Sequence, residues 1–228
     1  FDALAGTKWG CKEFGVDFIG GEVISFLAPI DTTTELLRLA AGAPDYIILA
    51  SSGASTMVNL RDIEKLKLKE EGISFSSGSP ALTDIFVENK EIMEGCYELA
   101  AVPTPREAKE YPEIKYLYQA LRESERWSTE EIDWRSGTVI GWVTGSCVVE
   151  AIKMAIEKVG IENVTGKEIR DATVSIRDLD LGFVSQITIT EDEPWAMHYL
   201  RMRKVEGGKW VNVGDWYPEA SVPLRWPE

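Results

Sequence analysis

Residues 17–53, DFIGGEVISFLAPIDTTTELLRLAAGAPDYIILASSG, decide the fold class. Glu22–Leu27 and Tyr46–Ala50 are short apolar runs, the pattern of strands buried in a parallel sheet. Between them Thr32 and Glu35 make a T-x-x-E capping box, and Leu36, Leu37, Leu39 and Ala40 supply the apolar face of a helix. Asp45, after Pro44, restarts the chain as strand. A strand–helix–strand crossover presents its functional loop just past the carboxyl end of the strand. Here that loop is Ser51-Ser52-Gly53.

Upstream, FDALAGTKWGCKEFG reads as a helix with Leu4, Thr7, Cys11 and Phe14 on one stripe and Gly15 as its C-terminal cap. Downstream, Met57, Leu60, Ile63 and Leu66 predict a helix ending in a turn at 67–72. Ile73–Phe75 is a short strand, and Ser76-Ser77-Gly78-Ser79-Pro80 is a second small-residue loop. Residues 81–89 follow as a short helix and Tyr97–Val102 as a strand. Pro103-Thr104-Pro105 reads as a hinge, because both prolines end strand pairing. From there to about Ser175 the chain is helical. Ile114, Leu117, Tyr118 and Leu121 form one stripe, and Ile140, Val143, Cys147, Ala151, Ala155 and Val159 form another, in a helix of about twenty residues. Thr165 and Glu168 make a further capping box. Residues 181–216 read as strands, with Gly207-Gly208 turning a hairpin into Trp210–Val213. The last twelve residues, rich in Pro and Trp, read as a surface tail.

Lys and Arg number 24 against 38 Asp and Glu, a net charge of −14. That balance argues against a nucleic-acid partner, since phosphate binding needs concentrated positive charge. Three cysteines, Cys11, Cys96 and Cys147, are far apart and lack C-x-x-C spacing, which argues against zinc and dithiol chemistry. Each lies in an apolar context, as buried free thiols do, although two could bridge in an oxidising compartment. His198 is the sole histidine, with no nucleophile elbow beside it, and Gly145-Ser146-Cys147 lies inside a helical stripe instead of a strand-to-helix turn. Glu191-Asp192-Glu193 precedes a proline and lacks the alternate spacing of a calcium loop. Neither G-x-G-x-x-G nor a P-loop occurs. The residues thus predict no catalytic group, no metal and no cofactor. The small-residue loops are the better candidates. Ser51, Ser52, Ser77 and Ser79 offer hydroxyls and backbone amides to an anionic or zwitterionic ligand, and Gly53 and Gly78 allow close backbone approach. Both loops would serve equally as turns with serine N-caps.

The order of these pieces resembles the type I periplasmic binding proteins, the solute-binding family of ABC importers that includes the branched-chain amino-acid binders. The resemblance is carried by Asp31-Thr32-Thr33-Thr34, Ala40-Ala41-Gly42-Ala43-Pro44-Asp45 and Tyr46–Leu49. Glu94-Gly95-Cys96-Tyr97, Glu150-Ala151-Ile152, Ala155–Gly160, Leu181–Val184 and Gly208-Lys209-Trp210-Val211 extend it over nearly the whole chain. Each motif is loose, and its specificity lies in order and spacing. The resemblance implies an α/β fold of Rossmann-like parallel-sheet lobes. Residues 1–102 would form the second lobe's α/β unit and 103–175 helices of the first lobe. Residues 176–228 would supply a crossing segment, closing strands and tail. The first lobe's sheet is missing, so the chain reads as the carboxy-terminal part of a longer protein, whose amino-terminal portion would be a partner.

The function implied is a non-enzymatic, extracytoplasmic subunit, periplasmic or extracellular and tied to the membrane through an ABC permease. It would capture a small amino-acid-like, amide or aromatic ligand between two lobes hinged near Val102–Pro105 and Ser175–Asp180. The family uses a tyrosine at the first small-residue loop and an acid at the second, where this chain has Ser52 or Gly53 and Gly78. That departure leaves room for a larger or differently polar ligand than leucine. Trp142 falls near the family's aromatic wall over the ligand, and packing in a core would explain it as well. Two other readings remain open: a cytoplasmic ligand-sensing regulator of the same fold, and an α/β enzyme.

Overall fold

The computed structural model describes residues 2–24, 29–51, 53–78, 81–109, 111–193 and 199–218. The chain divides into two compact units. The first holds the described residues up to Leu99 together with Met202–Asp215; the second holds those of Ala100–Arg201 and 216–218. The chain therefore passes between units at Leu99–Ala100, Arg201–Met202 and Asp215–Trp216. Both segments expected as hinges, Val102–Pro105 and Ser175–Asp180, lie inside the second unit.

In the first unit, α1 (Asp2–Phe14) ends where the sequence places its cap: Gly15 has φ +67° and the Val16 amide donates to the Cys11 carbonyl at 2.8 Å. The strand expected at Glu22–Leu27 falls partly outside the described residues, and residues 22–24 carry no strand. Helix α2 (Thr33–Ala40) follows, then β1 (Tyr46–Leu49), α3 (Ala54–Lys65), β2 (Ser74–Gly78), a 3-10 turn at Thr83–Ile85, α4 (Lys90–Met93) and β3 (Tyr97–Ala100). Strands β1, β2 and β3 are parallel, with Ile47 opposite Phe75, Leu49 opposite Ser77, and Ser77 opposite Glu98. One sheet face buries Ile47, Leu49 and Phe75; Leu60 and Ile63 of α3 and Phe86 are also buried in this unit. On the other face Tyr46, Ile48 and Leu99 remain exposed, so β1 is covered on one face instead of two.

The capping box expected on α2 does not form. No side-chain cap bond is made by Thr32. Its amide and hydroxyl donate instead to Asp62 Oδ2 on α3, at 2.7 and 3.1 Å, while Asp31 Oδ1 accepts from the Thr33 amide at 2.9 Å. A buried long-range carboxylate has replaced the local one.

The second unit is helical: α5 (Pro105–Ala108), α6 (Pro112–Glu123), α7 (Thr129–Trp134), α8 (Ser136–Val159), a 3-10 turn at Ile161–Asn163, and α9 (Gly166–Thr173). Pro103-Thr104-Pro105 is a helix start. Thr104 and Glu107 form a complete capping box with Pro105 at the first helical position. The expected box at Thr165 and Glu168 does form. Val139, Val143, Cys147, Ala151 and Ala155 run down one side of α8 into a core with Val102, Ala108, Ile114, Ala172, Ile176, Phe183, Ile187 and Ile189. By length and composition α8 is apolar enough to cross a membrane, yet this stripe of it packs into a protein core. Leu181–Val184, expected as strand, is irregular, and Leu179 and Ile187 make a single antiparallel bridge.

Two last strands, β4 (Tyr199–Glu206) and β5 (Lys209–Pro218), complete a sheet of order β1-β2-β3-β4-β5. The glycine turn between them is as expected, with Gly207 and Gly208 at φ +59° and +67°. Glu94 holds it, accepting from both glycine amides at 2.9 and 3.1 Å.

Candidate functional site

The carboxyl ends of β1 and β2 sit above a layer of buried polar side chains in the first unit. Thr56 and Asn59 occupy the inward face of α3, where spacing with Leu60 and Ile63 places them toward the sheet. Ser51 Oγ lies 3.0 Å from Thr56 Oγ1 and accepts from Asn59 Nδ2 at 3.1 Å. Ser51 therefore caps a buried hydroxyl–amide cluster and is itself half-buried.

Gly53 stands at the N-cap of α3 with φ +51° and ψ −123°, a backbone region that side-chain-bearing residues enter only under strain. A Cβ there would meet nothing within 4 Å, so the requirement for glycine is conformational and leaves open space above it. No side chain caps α3 at this position, and its first turn carries no acidic residue. A helix start of this kind favours negative charge through its amides and dipole.

At the second position the structure revises the expectation of a loop at 76–80. Ser76, Ser77 and Gly78 form the last residues of β2. Ser77 points inward, is buried, and donates its hydroxyl proton to the Leu49 carbonyl at 2.8 Å. Its side chain ties β2 to β1 and has its one proton committed. Gly78 is exposed at the strand end, and a Cβ added to it would meet no atom within 4 Å. Ser52 and Ser79 lie outside the described residues. Of the small-residue positions, Ser51, Gly53, Ser77 and Gly78 thus gather at adjacent strand ends. Trp142 belongs to α8 in the second unit, half-buried against that unit's core, with its carbonyl accepting from Ser146 Oγ at 2.9 Å.

The sequence reading missed Thr56, Asn59, Thr83 and Glu98. Glu98 is fully buried on β3, and its Oε1 accepts from the amides of Leu82 and Thr83 at 3.3 and 3.2 Å. Its only sequence signal is an acid inside an otherwise apolar strand. Burial pushes its carboxyl up to about 7. The catalytic candidates offer little. Cys147 is buried in α8 and its thiol is pushed up by burial, the opposite of an activated nucleophile. Glu191 pairs with Arg170 at 2.6 Å. His198 lies outside the described residues. No cluster of metal-ligating side chains occurs among those described.

Solved structures resemble the chain over nearly its whole length. A branched-chain amino-acid ABC transporter protein from Thermus thermophilus with bound valine matches 95% of it at 19% identity and a TM-score of 0.76. A fatty acid ABC transporter substrate-binding protein from Thermomonospora curvata matches 99% at 19% identity and 0.75. An ABC transporter solute-binding protein from R. palustris in complex with 4-hydroxybenzoate matches 98% at 14% identity and 0.72. The chain has the type I periplasmic-binding-protein fold. It spans 57%, 56% and 59% of the length of those three chains. No protein-family model and no curated protein sequence matches it. In a periplasmic-binding-protein fold the serine and glycine positions described above stand at the carboxyl ends of parallel strands, where α/β sheets take their ligands.

Proposed function

We propose that this chain is the ligand-capturing part of an extracytoplasmic solute-binding subunit of an ABC importer, without enzymatic activity. The observation that carries the reading is the glycine-started helix α3 and the open end of β2, side by side over a buried polar layer in this fold. By their names, one structural neighbour has bound valine, one is in complex with 4-hydroxybenzoate and one is the substrate-binding protein of a fatty acid transporter; all three compounds carry a carboxylate on an apolar body. The uncapped start of α3 suits such an anionic or zwitterionic head. With Gly53 and Gly78 in place of bulkier groups, the position leaves room for an amino-acid-like, amide or aromatic ligand that is larger than leucine or differently polar. Ser51, Ser52, Gly53, Ser77, Gly78 and Ser79 are its proposed contacts in the first unit, and Trp142 is a separate proposed contact in the second.

A permease of the importer is the proposed docking partner, at the periplasmic or extracellular side of the membrane. A second partner is the amino-terminal portion of the same protein, which would supply a sheet for the second unit. Its helices lack one among the described residues, and Val148 and Val149 of α8 stand exposed. Titration calorimetry of the protein with L-valine, L-leucine, benzoate and 4-hydroxybenzoate tests the reading. Binding of one compound at micromolar Kd or tighter, weakened at least tenfold by Gly53→Ala, is expected. No heat with any of them, and no small molecule released from the purified protein in denaturing mass spectrometry, would sink it.

A further inference from the structure

Glu98 is a charge in an expensive place. It lies on the inward face of β3, directly opposite Ser77 of β2, with none of its surface exposed. Oε1 accepts from the Leu82 amide at 3.3 Å, the Thr83 amide at 3.2 Å and the Thr83 hydroxyl at 3.4 Å. Those donors lie just beyond Ala81, whose amide donates to the Gly78 carbonyl at 3.0 Å. One carboxylate thus holds two residues close in sequence to the proposed ligand position at Gly78. Its other oxygen, Oε2, has no hydrogen-bond partner among the described residues. Two charged groups act on it: Arg203 of β4, itself buried, which favours the ionised form, and Asp84 of the 3-10 turn, which opposes it.

A glutamine would accept the same amide hydrogens through its carbonyl without the cost of a buried charge. An acid here therefore does something a neutral amide would not. Ionised, it is the stronger acceptor, roughly twice as strong as a neutral one, and it holds Leu82 and Thr83 tightly. Protonated, it becomes a weaker acceptor. Because burial pushes this carboxyl up to about 7, both forms are populated at ordinary pH.

We propose that Glu98 is a positioning residue for the chain beyond β2: its carboxylate clamps Leu82 and Thr83, and protonating it loosens that clamp and weakens ligand capture. The proposal rests on the ligand-binding reading of these strand ends, and its experiment has two separable arms. The first needs no ligand. Amide hydrogen exchange at Leu82 and Thr83 is followed from pH 6 to 8.5 and corrected for intrinsic exchange. Protection is expected to rise about tenfold across that range in the native protein, and to be flat in Glu98→Gln. The variant also separates Glu98 from His198, the only histidine. Flat protection in the native protein would overturn the clamp, whether or not the variant folds.

The second arm measures Kd for the tightest of the four compounds named above at pH 6 and pH 8. A three- to tenfold tightening at pH 8, lost in Glu98→Gln, is expected. Protection that changes with pH beside an unchanged Kd would overturn the link to the ligand. Absence of binding at both pH values would overturn the ligand-binding reading and, with it, this role, while the exchange data would still decide whether the clamp exists.

Discussion

The two units solve the same problem with opposite materials. The first is built on a sheet whose inner face carries Ile47, Leu49 and Phe75 and, beside them, Ser77 near the end of β2 opposite Glu98 of β3. The second is built on α8, whose inward stripe is made of small and medium residues, with Ala151 and Ala155 against α9 and its neighbours. Large side chains hold the first core and small ones let helices approach in the second. The comparison teaches where polarity is tolerated. Among the described residues, the strand ends of the first unit bury a set of hydroxyl, amide and carboxylate groups next to open space, which is why the ligand is proposed to bind there.

That contrast fails if the two cores respond alike to changes in size. Phe75→Ala removes a buried aromatic from the first core and is expected to cost about 3–5 kcal/mol, read as a drop in the denaturation midpoint. Ala151→Leu, which adds volume between close helices of the second, is expected to cost about 1–3 kcal/mol. A neutral Ala151→Leu would mean that α8 has slack beside it and that the second core is not closely packed.

Glu98 sharpens the comparison through pH. Its carboxyl is raised from 4.5 to about 7 by burial, so the native state binds the proton more tightly than the unfolded chain does. Its contribution to stability is fully present below pH 4.5 and is lost as the pH rises through about 7. The loss amounts to about 3 kcal/mol in the limit where the whole shift is realised. Glu98→Gln should flatten that part of the stability curve while leaving the remaining carboxylates' acid limb in place. Global stability therefore falls over the same pH range in which the local clamp tightens, and the apolar core of the second unit has no counterpart to this carboxyl among its described residues.

Gly53→Ala isolates the backbone from the packing. Since a Cβ there meets nothing, the substitution should cost about 1–3 kcal/mol from conformation alone. Gly78→Ala, whose backbone is extended, should leave stability unchanged within about 0.5 kcal/mol. A loss of ligand affinity in both variants, beside a loss of stability in only one, would separate space for the ligand from strain in the loop.

Much of this was legible in the sequence because it is local. The α1 cap at Gly15, the glycine hairpin at 207–208, the long stripe of α8 and the end of β1 before Ser51 all follow from residues a few positions apart. The polar layer was not, because its bonds join distant segments. Thr56 and Asn59 look like ordinary polar positions on a helix until β1 brings Ser51 above them. Glu98 looks like a solvated strand residue until residues 82–83 fold over it. Thr104 and Glu107 were readable as a capping box, but two flanking prolines read more loudly as a break.

The smallest effect makes the cleanest test of local against long-range. Besides Thr104–Glu107 before α5, the same T-x-x-E signature occurs at Thr32–Glu35 before α2 in the first unit and at Thr165–Glu168 before α9 in the second. Glu168 accepts from the Thr165 amide at 3.2 Å, and the Thr165 hydroxyl accepts from the Lys167 amide at 3.2 Å. Thr32 spends its amide and hydroxyl on Asp62. Glu168→Ala should therefore destabilise by about 0.5–1 kcal/mol, and Glu35→Ala by no more than a few tenths from the lost dipole interaction. The difference closes if Asp62 is replaced by alanine, because Thr32 is then free to find Glu35. In that background Glu35→Ala should cost what Glu168→Ala costs, and the double-mutant cycle between Asp62 and Glu35 should show the coupling directly.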